Sequence, residues 1–97
     1  PSPATVAKTA VAKKGVVKIG IKVKSGATPS GKVKVTIKGR TYTGKVVRGV
    51  LTIKAKPQLA KLWRQHVRKV GAKVTYKGDA KVAPFAGKVT VKLKGRQ

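Results

Sequence analysis

From residue 17 to residue 24 the chain reads Val17-Lys18-Ile19-Gly20-Ile21-Lys22-Val23-Lys24, with an aliphatic side chain at every odd position and Lys or Gly at every even one. Residues 32–38 and 88–93 repeat the pattern. Successive side chains of a strand leave opposite faces of a sheet, so a period of two sends one set into a core and the other into water. A helix would wind the same aliphatics around its whole circumference and bury none of them well. Such a chain is therefore committed to a sheet with one apolar and one cationic face.

Further strands follow from the same reading. Residues 40–47 and 50–55 read as two strands paired across Arg48-Gly49, with Tyr42, Leu51 and Ile53 inward. Residues 70–76 form another, then Lys77-Gly78-Asp79 reads as a tight turn, and residues 85–94 place Val89, Val91 and Leu93 on one face. Residues 25–31, with Gly26, Pro29 and Gly31, carry turn chemistry. Residues 5–12 are strand-like, but their parity slips between Val6 and Val11, which calls for a bulge or a switch between sheets. Seven short strands so spaced predict a two-sheet sandwich. One stretch breaks the pattern: in residues 57–67, Leu59, Leu62, Trp63 and Val67 recur at steps of three and four behind Pro57. That spacing predicts a short helix between the fifth and sixth strands.

With 97 residues the chain holds one domain, residues 1–97. Residues 1–4, rich in Pro, read either as a linker or processed N-terminus or as an arbitrary boundary. Four aromatics (Tyr42, Trp63, Tyr76, Phe85) leave a core of Val, Ile, Leu and Ala. Lys and Arg number 25 against one acidic residue, Asp79, for a net charge of +24. Charge of that size on a chain of modest hydropathy is a signature of disorder, but here the lysines alternate with aliphatics, which argues for folding. Without Cys there is neither a disulfide framework nor a thiolate metal site. No apolar run approaches the ~20 residues of a membrane-spanning helix.

The run Val74-Thr75-Tyr76-Lys77-Gly78-Asp79, leading into the alternating strand at 88–93, resembles the bacterial immunoglobulin-like repeat domains of secreted and surface proteins, which carry Val-x-Tyr-x-Gly-Asp before a last strand of alternating Val and Thr. The segment Thr28-Pro29-Ser30-Gly31-Lys32-Val33 resembles that family's Thr-Pro-x-Gly-x-Val turn into the third strand. The resemblance implies an all-β, seven-stranded immunoglobulin-like β-sandwich, here with the short helix added, serving as a spacer, adhesive or display module. Two departures stand out. The Trp63 segment replaces a Leu-Pro-x-Leu-x-x-Gly link, and lysine replaces the family's usual Thr, Ser, Asp and Asn surface.

Catalysis finds little to work with. Acid–base chemistry draws on two titratable groups of separated pKa, and the chain has one carboxylate side chain and one imidazole, His66. Asp79 in its turn reads as a cap on backbone amides, and His66 as a packing or solvent-exposed residue. Ser2, Ser25 and Ser30 lie in loops with no positioned base. No phosphate-binding glycine motif, cofactor or metal site is expected.

The charge is the functional signal. If the third, sixth and seventh strands share a sheet, Lys32, Lys34, Lys38, Lys69, Lys73, Lys77, Lys88, Lys92 and Lys94 crowd its outer face, interleaved with Thr36, Thr75 and Thr90. Lys18, Lys22, Lys24 and Lys54 lie on the opposite sheet. Lysines outnumber arginines 20 to 5, which favours diffuse attraction over bidentate reading of bases. The expectation is a secreted or cell-surface, non-enzymatic module that binds polyanions without sequence specificity: cell-wall polymers, acidic glycans or nucleic acid. The alternatives are a structural subunit of a fibre, sheath or virus particle contacting an acidic protein partner or nucleic acid, and an intracellular ribosomal or chromatin-like protein. Trp63 reads either as a core or end-plug residue or, with Arg64, as an anchor for a partner.

Overall fold

In the computed structural model, which describes residues 1–97, the alternating stretches all become strands. These are β1 (Ala4–Val6), β2 (Thr9–Lys13), β3 (Val16–Val23), β4 (Val33–Ile37), β5 (Arg40–Gly44), β6 (Val46–Val47), β7 (Val50–Lys54), β8 (Lys69–Tyr76) and β9 (Phe85–Leu93), with helix α1 (Lys56–Arg64) between β7 and β8. The domain is mostly β with one short helix, and its single core has 24 buried apolar residues. Every odd position from Val17 to Val23 is buried and every even one exposed, as the alternation requires. Tyr76 and Phe85 are the core's aromatic pair, with ring centroids 5.2 Å apart.

The strands do not divide into two separate sheets of a seven-strand sandwich. They form one continuous sheet in the order β5-β4-β8-β9-β2-β3-β7-β6, with β1 on β3. The cause is β2, which runs parallel to β9 (Thr9↔Thr90 to Ala12↔Leu93) while its end pairs antiparallel with β3 (Val11↔Lys18). The parity slip at residues 5–12 is the break before this crossing: β1 lies antiparallel on β3, and the chain then passes to β9, with Lys8 C=O accepting from Thr90 N–H.

Residues 40–47 are likewise two strands, since β5 pairs with β4 whereas β6 pairs with β7. The chain changes partner at Gly44, where a Cβ would run into the Thr52 carbonyl and stand 2.8 Å from Ile53 Cδ1. There β5 closes on β7 so tightly that the sheet is nearly a barrel.

Three hairpins turn on a cation followed by glycine: Lys14-Gly15, Lys38-Gly39 and Arg48-Gly49, each pair with both φ angles between 45° and 81°. Two successive left-handed residues make the primed two-residue turn whose twist suits antiparallel strands.

The helix is shorter than the spacing at 57–67 predicts. It ends at Arg64 because His66 takes a left-handed φ of 62°, with His66 N–H bonded to Trp63 C=O and Val67 N–H to Leu62 C=O. This double bond pattern closes a helix and folds the next apolar residue back on it. Leu59 and Leu62 are buried, and Gln58 donates to the Ile37 carbonyl while accepting from the Tyr42 hydroxyl, which ties the helix to the β4–β5 hairpin. No helix is long and apolar enough to cross a membrane.

The domain measures 42 × 20 × 18 Å, with two distinct poles. Helix, β2–β3 turn and residues 94–97 gather at one. Residues 1–3, 24–32 and 77–84 gather at the other. At that second pole Ser2 N–H bonds to Lys81 C=O, Ala83 N–H to Ser2 C=O and Lys24 N–H to Pro3 C=O, so the opening segment is held in the fold.

Candidate polyanion-binding surfaces

Asp79 is the only acidic side chain that could neutralise a cation. It is fully engaged at the second pole. Its Oδ2 accepts from Ser30 N–H, Ser30 Oγ and Tyr76 OH at 2.7–2.8 Å, and its Oδ1 accepts from Lys81 N–H and Val82 N–H at 2.8 and 2.7 Å. All five donors are backbone amides or hydroxyls. The cap expected within the β8–β9 turn is present and reaches further, gripping Ser30 in the β3–β4 loop. The Ser30 amide, the Tyr76 hydroxyl and the Val82 amide hold the carboxyl far below the usual carboxylate range. Burial first, and the hydrogen bond to Asp79 second, push the Tyr76 phenol up.

Because the folded carboxyl is the stronger acid, its stabilising effect is complete above the unfolded carboxylate range near pH 4 and is lost as pH falls below it. Asp79→Asn would turn an NH₂ towards at least two donors, the Lys81 and Val82 amides, so the variant should melt several degrees lower at pH 7 in a thermal scan. The acid-side loss of stability expected of the wild type between about pH 5 and pH 2 should also be absent from it. An unchanged acid limb in the variant would show that Asp79 is not its source.

The cationic sheet face is the second element. Strands β4, β8 and β9 are neighbours, and their registers set Lys73 opposite Lys88, Lys69 opposite Lys92, Lys34 opposite Thr75 and Thr36 opposite Lys73. The row through Lys69 and Lys92 continues across β2 and β3 to Val11 and Lys18. Like charges directly opposite destabilise a strand pair, and no carboxylate lies beside them. Of the nine lysines expected on this face, Lys34, Lys69, Lys73, Lys88 and Lys92 stand on its strands, and Lys32 and Lys77 lie just past strand ends. Lys38 sits instead in the β4–β5 turn, because a two-residue turn there needs its left-handed φ of 45°. Lys94 follows the end of β9 at the helix pole.

That pole holds a cleft of about 1010 Å³, into which the alternation of the strands gave no insight. The β2–β3 turn contributes Lys13 and Lys14, the helix contributes Lys56, Ala60, Trp63 and Arg64, and the segment after β9 contributes Lys94 and Arg96. Gln97, the one buried polar side chain, assembles it: its Nε2 donates to Ala12 and Gly95 carbonyls, and its Oε1 accepts from Gly15 N–H. The Lys14 amide bonds the Arg96 carbonyl as well. Trp63 is half-buried against the core, and Arg68 Cζ lies 3.5 Å from its ring centroid. Arg68 is itself fixed by Nη1 donating to the Trp63 and Val67 carbonyls. Of the residues lining the cleft, Trp63, Arg64 and Lys94 were singled out from the sequence. Lys13, Lys14, Lys56 and Arg96 were missed, although the doublet before Gly15 and the Lys94-Gly95-Arg96 run were visible signals of cations at turns. His66 is exposed beyond the helix end.

Comparison with known proteins finds no matching family model, no matching curated protein and no matching solved structure.

Proposed function

We propose that this chain is a non-enzymatic, secreted or cell-surface module of immunoglobulin-like type that binds polyanions largely without sequence specificity. The observation that carries the reading is the pairing of Lys73 with Lys88 and Lys69 with Lys92 on one exposed face, while the only carboxylate side chain is spent on internal hydrogen bonds. A surface so arranged repels itself, and a phosphate, sulfate or carboxylate polymer relieves the repulsion. The immunoglobulin-like part is supported by the β4-β8-β9 neighbourhood and by the first strand region crossing from β3 to run parallel to β9.

Heparin and duplex DNA matrices should retain the protein at low salt and release it as salt rises, whereas a neutral polysaccharide matrix should not retain it. Replacing Lys73 and Lys88 together with Ala should lower the slope of log K against log salt on duplex DNA by about 1.8, if each engages one phosphate. Retention indifferent to salt would refute the reading.

A further inference from the structure

We propose that the cleft at the helix pole is a site for single-stranded nucleic acid, with phosphates held by its cations and one base stacked on Trp63. The proposal rests on the polyanion reading and deepens it, giving a general attraction one selective point.

The charge in the cleft differs in kind from that on the sheet. Six cations (Lys13, Lys14, Lys56, Arg64, Lys94 and Arg96) line one concavity with no acidic side chain among them. A cleft walled by one sign of charge focuses its field more than a convex face does. Arginine is scarce in this chain, yet three of the five cluster here, Arg64 and Arg96 on the cleft wall and Arg68 behind Trp63. Guanidinium forks match the geometry of phosphate oxygens, which a lysine point charge does not.

Trp63 adds an aromatic ring to these cations. Buried Tyr76 and Phe85 serve the core, and Tyr42 is tied to Gln58, so Trp63 is the one ring offered to a concave cationic surface. Arg68 lies over one face of the indole and is anchored by two carbonyls, which helps hold in place a ring that also lines the cleft. A preset aromatic surface beside a backbone-tracking groove is how single strands are bound, because every base has a π-face. A duplex keeps those faces stacked inside, and the saturated rings of a sulfated glycan have none. The volume, about 1010 Å³, is at the upper end of the roughly 300–1,000 Å³ usual for ligand sites, so it admits a nucleotide unit and not merely a free ion.

The chain has a single Trp, so its fluorescence reads this ring alone. A short oligothymidylate should quench it, and a length-matched abasic deoxyribose-phosphate oligomer should bind about 5–150-fold more weakly with little quenching. Trp63→Ala, followed by anisotropy of labelled oligomers, should bring the two ligands to equal affinity, and Trp63→Phe should retain part of the preference. Lys14→Ala with Arg96→Ala should weaken both ligands alike. Equal binding of the two oligomers by wild type, or a preference that survives in Trp63→Ala, would overturn the assignment while salt-sensitive heparin binding left the polyanion reading standing. If none of these polymers binds at low salt, both fall.

Discussion

Gly15→Ala should cost about 2–5 kcal/mol in chemical denaturation, from about 1–2 kcal/mol for a left-handed non-glycine residue and about 1–3 kcal/mol for overpacking. Gly15 has φ +77°, and a Cβ there would stand 2.5 Å from Lys56 Cα. The contact cannot relax by swinging a side chain, because Ala55 N–H is bonded to the Gly15 carbonyl at the very start of the helix. Gly26→Ala is the control: its φ is +82°, but nothing lies within 4 Å of the added methyl, so only the backbone cost of about 1–2 kcal/mol should appear. Equal losses in the two variants would mean that the close approach of turn and helix contributes nothing. Gly15→Ala should also weaken ligands of the cleft, because it forces Lys56 away from Lys13 and Lys14.

Heparin at low salt should raise the melting temperature steeply. A ligand at about a thousand times its Kd adds up to about 4 kcal/mol, which for a domain of this size is a shift of roughly 15–30 °C. The unfolded chain is just as cationic and binds too, which subtracts from that figure. A positive shift therefore reports a preference for the native arrangement, in which Lys73, Lys88, Lys69 and Lys92 are held close together. Salt alone should raise the melting temperature modestly by screening those pairs and should erase the heparin gain. A melting temperature indifferent to heparin at low salt would count against any special role for the folded surface.

The strands at 17–24, 32–38 and 85–94 were legible because burial on one face imposes a period that composition alone does not hide. Asp79 as a turn cap was legible for a local reason, its short reach to nearby amides. Its grip on Ser30 was not, because that bond joins two loops far apart in sequence. Partner changes were half visible. The slip between Val6 and Val11 marked a break, but nothing local says that β2 must lie parallel to β9. At Gly44 even the break was hidden, since 40–47 stays strand-like while the backbone moves from β4 to β7. The cleft was least legible of all. Its residues come from a turn, a helix and the segment after the last strand, joined by Gln97, whose contacts appear only after the two ends of the chain have met.

That meeting has a mechanical side. Strands β2 and β9 run parallel, near opposite ends of the sequence. Tension applied at residues 1 and 97 therefore drags the two strands in opposite directions along their length, loading the ladder between them in shear. Hydrogen bonds so loaded must fail together, whereas a hairpin pulled from its open end unzips one bond at a time. A domain strung between two anchored points would yield late and abruptly, when the ladder between β2 and β9 fails after the opening segment and β1 have come away.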